Sequence, residues 1–334
     1  MPEIVPGLVS TIIPAFNRAD MLRHAVDSVL AQTWRPIEIL ICDDGSTDDT
    51  VATGQRLEAD HPGVVFYEWA QNRGAGSARE RGRLRARGEF IQYLDSDDSI
   101  WPRKFEVQIA ALRAKPECGA AYGRIRLCPE GEPPGDVPYK WSGREFTSLF
   151  PMLLVDRWWN TNAPLWRRTT TDAIGPWSDL RYSQDWEYDA RAGGLGIKLV
   201  YCPEFVTDQR QHSGTRQTGG GRWLSPQDRV RFFAALLANA CRAGVALDAP
   251  EMKHFARWVF RQARECGASG AAGAAADLLS IARAASGGGT SDMSAYRWLA
   301  KFIGWKTSAI VSDRASAWLG RRSGADTLRQ SWMD

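Results

Sequence analysis

From Leu8 to Ala114 short β-branched apolar runs alternate with stretches that repeat apolar residues at helical spacing, and nothing else in the chain narrows its possible folds as much. Leu8 to Pro14 is a compact apolar run closed by a proline, the pattern of a buried strand. Met21, Leu22, Ala25, Val26, Val29 and Leu30 then share one helical face, with Asp20 placed to cap it. The rhythm continues with strands over 37–42, 64–69 and 90–94 and helices over 49–57, 77–87 and 104–114. Strands and helices in this order predict an α/β fold: a mostly parallel sheet, right-handed crossovers and helices on both faces.

Composition permits such a core and excludes several other classes. The chain has 334 residues, 44% of them apolar, enough to bury a substantial interior. Lys+Arg 42 against Asp+Glu 39 leaves +3, too balanced for nucleic acid to be the main partner. Met1 to Gly7 lacks a cationic, then apolar, leader pattern, and no apolar run reaches the ~18 residues of a membrane span. A cytoplasmic protein without a transmembrane anchor is the expectation. The six cysteines form no Cys-x-x-Cys pair, which fits reduced structural thiols.

In a parallel sheet of this kind, ligands bind beyond the carboxyl ends of the strands. Three polar clusters fall there: Pro14-Ala15-Phe16-Asn17-Arg18, Asp43-Asp44 and Asp95-Ser96-Asp97-Asp98. Their convergence on one crevice carries more weight than any one of them. Carboxylates as close as Asp95, Asp97 and Asp98 repel one another, and an oxygen-ligated cation such as Mg²⁺ or Mn²⁺ is the usual compensation. Residues i and i+2 at a strand mouth also point to one side, so Asp95 and Asp97 can serve one ligand. The alternative is a solvated turn that caps the next helix through Asp98 or Ser99. Gly74-Ala75-Gly76-Ser77-Ala78-Arg79 begins like a dinucleotide fingerprint, but an arginine stands where the third glycine belongs.

Four blocks together resemble family 2 glycosyltransferases of GT-A fold. They are Val9-Ser10-Thr11-Ile12-Ile13-Pro14-Ala15-Phe16-Asn17-Arg18, Ser28 to Thr33, Glu38-Ile39-Leu40-Ile41-Cys42-Asp43-Asp44-Gly45-Ser46-Thr47-Asp48 and Gly88 to Asp98. The resemblance runs from residue 7 to residue 215 and is specific to the family, not to a sugar. It implies a nucleotide-diphosphate sugar donor, UDP-sugar favoured, and a divalent cation, Mn²⁺ or Mg²⁺. It further implies that Pro14, Phe16 and Asp44 hold the base with Arg18 close by. Arg79 then lies near the diphosphate, Asp95 contacts the ribose with Ser96 beside it, and Asp97 holds the metal. Alternatives stand beside these roles: Asp43 or Asp44 as a helix cap, Phe16 as core, and Arg81, Arg83, Arg85 and Arg87 as a solvated helix face.

After residue 115 the alternation weakens, and Pro129 to Asp136 reads as an acceptor-side loop. Trp158 to Arg168 resembles the family segment before the acceptor site. The family commonly shows Glu-Asp where this chain has Gln184-Asp185, opening a helix to about Ala192. Asp185 is accordingly assigned as the base, with Glu187 as the second candidate and a helix N-cap as the structural alternative. After a strand over 197–201, Gln209 to Thr215 resembles an Arg-x-His-x-Ser segment, which makes His212 a candidate metal ligand or a structural histidine.

From Ser225 the chain turns helix-rich, with helices over 231–242, 251–266 and 271–285 and a glycine linker at 286–289. A tail follows that mixes Tyr296, Trp298, Phe302 and Trp305 with Arg297, Lys301 and Lys306, a pattern of membrane contact over 296–322 or of aromatics packed on the protein. The expected division is a catalytic domain over 1–222, a helical extension over 223–286, and a linker and tail over 287–334. The expected activity is inverting, metal-dependent sugar transfer to a hydroxyl of a glycan or lipid-linked acceptor, in polysaccharide synthesis at the cell envelope. A non-catalytic donor-binding module and a docking scaffold are the competing classes.

Overall fold

The structure, a computed structural model, describes residues 2–129, 135–211 and 225–318. Its first half follows the alternation: β1 (Val5–Ala15), α1 (Ala19–Leu30), β2 (Ile37–Asp43), α2 (Thr50–Asp60), β3 (Val65–Trp69), α3 (Ala75–Arg85) and β4 (Gly88–Tyr93). Then come β5 (Ser99–Ile100), α4 (Lys104–Ala114), β6 (Cys118–Cys128), β7 (Leu165–Arg167), α5 (Arg168–Ile174), α6 (Gln184–Gly194) and β8 (Lys198–Arg210). The described strands form one sheet in the order β3-β2-β1-β4-β7-β6-β8-β5. β1 pairs in parallel with β2 and β4, and β2 with β3, whereas β7 runs antiparallel to both β4 and β6.

Helices cover both faces of the central strands, which is why β1 and β2 are apolar almost throughout. Val9, Ile13, Ile39 and Ile41 pack with Leu22, Ala25, Val26 and Val29 of α1 and with Phe105, Ile109 and Leu112 of α4. On α3, Gly82 stands so close to the sheet that a Cβ would lie 2.4 Å from Ile12. The buried exception on β2, Glu38, is fully engaged: it accepts from the Ser10 hydroxyl, the Arg87 amide and the Arg87 guanidinium.

One expectation is corrected here: α1 begins after Arg18, so Asp20 lies in its first turn and does not cap it. After residue 115 come the long strands β6 and β8, paired in parallel, while 130–134 of the expected acceptor-side loop lie outside the described residues. β6 escapes a periodic reading because its register shifts around Gly123, where a Cβ would lie 2.6 Å from Val206.

The described residues fall into two compact units, one of 2–149, 158–188 and 196–211 and one of 150–157, 189–195 and 225–318. The second unit takes two short segments that the expected linear division leaves in the catalytic domain. Met152, Leu153 and Leu154 are buried in it, and Gly194 lies so near Asn239 that a Cβ would be 2.4 Å from its Oδ1. It contains α7 (Pro226–Arg242), α8 (Pro250–Ala268), α9 (Ala272–Ala285) and α10 (Ser291–Trp318), the last broken at Gly304. The expected tail is thus a helix of this unit, with Met293, Tyr296, Ala300 and Ala309 buried. Among the described residues no helix is long and apolar enough to cross a membrane.

Candidate active site

The first wall is built by the loops after β1 and β2. The Asp44 amide donates to the Ala15 carbonyl at 2.8 Å, Asn17 donates to Ser46 Oγ at 2.9 Å, and Arg18 donates to Thr50 Oγ1 at 2.7 Å. Asn17 takes φ 51°, a left-handed conformation that asparagine tolerates, and its Oδ1 accepts from the Thr47 amide. Pro14 is buried within β1, while the ring of Phe16 stands 42% exposed on the pinned loop. Asp43 accepts from the Ser46 amide and the Tyr67 hydroxyl, both at 2.8 Å. Asp44 accepts from the amides of Arg73 at 3.0 Å and Gly74 at 2.7 Å. Neither caps α2, which starts after Asp49. Gly45 makes this turn possible, at φ 83° and with Asn72 N only 2.8 Å from where a Cβ would stand.

The acid turn after β4 is arranged differently. Asp98 is buried, accepting from Asn162 Nδ2 at 2.6 Å and from the Arg210 amide at 2.9 Å. It ties the turn to the end of β8 and caps nothing, because α4 starts after Arg103. Burial raises its pKa well above the usual carboxylate value, and Asp97 and Asp95 add to the rise. Asp95 is also raised by loss of solvation, opposed by Arg79 at 2.6 Å and reinforced by Asp97 and Asp185. Its side chain is 32% exposed, so solvent screens part of this. Ser96 is buried and Asp97 half-buried in the same turn.

Asn162, which sequence reasoning passed over, holds this turn together. Its Oδ1 accepts from the Asp95 amide at 2.7 Å while its Nδ2 serves Asp98. Its own carbonyl accepts from Gln92 at 2.9 Å, and the next carbonyl, of Ala163, accepts from Lys104 at 2.7 Å and Gln108 at 2.9 Å. Burial pushes the Lys104 ammonium well below its ordinary pKa.

Arg79 reaches Asp95 from α3. Its guanidinium is 5% exposed and lies 4.8 Å from the centre of the Trp177 ring, which stacks at 4.2 Å on Tyr188 of α6. Tyr93 meets Trp177 edge-on at 4.8 Å. Arg79 Nε and Nη1 are buried with no hydrogen-bond partner among the described residues. The neighbouring arginines divide: Arg85 and Arg87 are exposed, the first paired with Glu68 and the second with Glu38. Arg81 instead donates to the Asp43 carbonyl at 2.8 Å, and Arg83 is buried between Glu80 and Asp172.

Asp185 lies in the first turn of α6, the helix that carries Tyr188, and its charge is felt by Asp95. Its Oδ1 accepts from the Trp186 amide at 2.8 Å and its Oδ2 from Thr161 Oγ1 at 3.4 Å. Glu187 is buried on the same helix. His212 lies outside the described residues. Asp95 thus pairs with the buried Arg79 on one side and feels the charges of Asp97 and Asp185 on the other. No cluster of three His, Cys, Asp or Glu side chains forms a metal shell among the described residues.

Residues 10–164 match the family model described as Glycosyl transferase family 2. An uncharacterized glycosyltransferase of Rickettsia typhi is 40% identical over 105 residues, which is 31% of this chain and 32% of that protein. Chondroitin synthase of Escherichia coli is 42% identical over 106 residues, 32% of this chain and 15% of that one. The chain thus spans no more than a third of the length of either curated relative. S. aureus TarS 1-349 in complex with UDP-GlcNAc superposes with TM-score 0.70 at 16% identity, covering 94% of this chain and 92% of that chain. At that identity the likeness establishes the fold, an α/β glycosyltransferase sheet of GT-A type followed by C-terminal helices.

Proposed function

We infer that this chain is a family 2 glycosyltransferase that moves a sugar, with inversion, from a UDP-type nucleotide donor to a hydroxyl of a glycan or lipid-linked acceptor. The observation that carries this reading is Arg79: a buried guanidinium with two nitrogens, Nε and Nη1, that meet no hydrogen-bond partner among the described residues, beside Asp95 and beyond the end of β4. Such a fork matches the oxygens of a diphosphate. The exposed Phe16 ring stacks on the base. Asp44 spends one lone pair of each oxygen on the Arg73 and Gly74 amides and keeps others for a ring N–H. Asp95, with Ser96 beside it, takes the ribose, and Pro14 and Arg18 frame the base pocket.

The crowding that raises Asp95 and Asp98 fits a divalent cation held by Asp97, with His212 completing its shell. Mn²⁺ or Mg²⁺ bound there supplies positive charge for the departing diphosphate. Asp185 accepts the acceptor hydroxyl's proton while that oxygen bonds to the anomeric carbon and the carbon–phosphate-oxygen bond breaks on the opposite face. The products are the inverted glycoside and a nucleoside diphosphate. The work belongs to polysaccharide synthesis at the cell envelope, with the enzyme at the cytoplasmic face of a membrane through 296–322.

A thermal-shift screen of nucleotide sugars with and without Mn²⁺ tests the reading, since a bound ligand raises the melting temperature by mass action. A UDP-sugar that stabilises the chain only with metal is the expected result. No stabilisation by any nucleotide sugar in either condition would overturn it.

A further inference from the structure

Large apolar side chains exposed singly need no explanation, but those of this chain are concentrated. Thirteen are exposed among the described residues, and five of them, Trp298, Phe302, Ile303, Ile310 and Val311, lie on α10. Trp298 is 60% and Phe302 68% exposed, with their rings 4.5 Å apart. They are not spare core: the opposite side of the helix already packs, Tyr296 meeting Phe260 at 5.5 Å.

The charge on the middle of this helix has one sign. From Met293 to Val311 there is no acidic residue, and Arg297, Lys301 and Lys306 are exposed without a salt bridge to any described residue. Between α9 and α10 opens a cleft of ≈ 390 Å³ whose lining includes Arg283, Arg297, Lys301, Ser280 and Trp305. Arg283 spends one N–H on Ser294 Oγ at 3.0 Å and keeps the rest of its fork. Lysine is depleted from protein–protein interfaces, whereas exposed Trp and Phe flanked by unpaired cations suit the surface of an anionic bilayer.

We propose that the α9–α10 cleft holds the phosphate headgroup of an anionic phospholipid, drawn in by Arg283, Arg297 and Lys301, while Trp298 and Phe302 lie in the lipid interface. This deepens the membrane-contact part of the functional reading and does not depend on sugar transfer.

The test is co-sedimentation of the full chain with phosphatidylcholine vesicles and with vesicles in which a minor part is phosphatidylglycerol, beside donor hydrolysis measured without lipid. The wild type should bind only the anionic vesicles, and more weakly in high salt. The paired variant Arg297→Gln/Lys301→Gln should bind roughly 10-fold or more weakly, since each interfacial cation counts for about fivefold. Trp298→Ser/Phe302→Ser should also lose most binding, and all variants should keep the wild-type melting temperature and hydrolysis rate. A wild type that ignores anionic vesicles would remove both the membrane contact and the cleft. Binding that survives the cation pair but fails in the aromatic pair would leave the contact and reject the headgroup site. Stabilisation by inorganic phosphate without vesicle binding would make the cleft a free-phosphate site and reject the lipid.

Discussion

The acid pair after β2 and the acid turn after β4 have the same sequence signature, an apolar run that ends in carboxylates, yet the structure treats them in opposite ways. Asp43 and Asp44 are buried and answered by protein donors: two amides for Asp44, an amide and a phenol for Asp43. In the second turn Asp98 accepts two hydrogen bonds, yet its pKa is raised, by burial first and then by Asp97 and Asp95. Asp95 faces one arginine and two further carboxylates. The first turn is closed by its own hydrogen bonds. The second brings the charges of Asp97 and Asp185 to bear on Asp95 and keeps the carboxyls of Asp95 and Asp98 raised, which is why the proposed cation and diphosphate are assigned there.

Asp185 should give the largest effect, because it is the proposed base and its charge acts on Asp95 of the second turn. Asp185→Asn is expected to lower transfer by roughly 10²–10⁴-fold, with nucleotide affinity within a few-fold, the mark of an interaction made in the transition state. Single-turnover kinetics with the donor found in the screen would measure it. Near-wild-type transfer would return Asp185 to a structural role and bring Glu187→Gln forward.

Asn162→Ala probes how the second turn is held. It strands the buried Asp95 amide and removes a donor from Asp98, so urea unfolding should register a loss of about 2–4 kcal/mol. Donor affinity should fall with it. At the first turn Asp44→Asn should cost less, about 1–2 kcal/mol, since an amide oxygen can still take one of the two backbone N–H groups. Equal losses at the two sites would erase the contrast between them.

The smallest effect is in pH. Asp98 has a folded pKa above its unfolded value, so the folded chain binds the extra proton. Its contribution to stability is complete below the unfolded value of about 4 and is lost as pH rises through the folded pKa. In chelator, stability should therefore decline across that window by at most about 1.4 kcal/mol per pH unit for this group. Asp98→Asn should flatten the decline, and so should a divalent ion.

Much of this was legible from spacing alone. The runs that became β1 to β4 and their helices have unbroken periods, and the loops after them fell at the carboxyl ends where polar clusters were noticed. What the spacing could not carry is pairing across distance. Asn162 matters because β7 runs back against β4 and sets it beside Asp95, and no local pattern announces an antiparallel strand of three residues. Arg79 and the Trp177–Tyr188 stack beneath it come from segments about a hundred residues apart, and no local pattern joins them. β6 hid behind Gly119 and Gly123, residues that read as breakers but permit close approach to Thr170 and Val206. The spacing of Arg81, Arg83, Arg85 and Arg87 reads as one solvated face, although Arg83 is buried between Glu80, one turn back on α3, and Asp172, which only the fold brings near.

Calorimetric titration of UDP into the wild type and Asp97→Ala, each in Mn²⁺ and in excess chelator, addresses the acid turn after β4 most directly. Binding by the wild type in Mn²⁺, lost in chelator and lost in Asp97→Ala, is the expected result. Equal affinity of the wild type in chelator and in Mn²⁺ would contradict the account, because the carboxylates after β4 would then need no cation to admit a diphosphate.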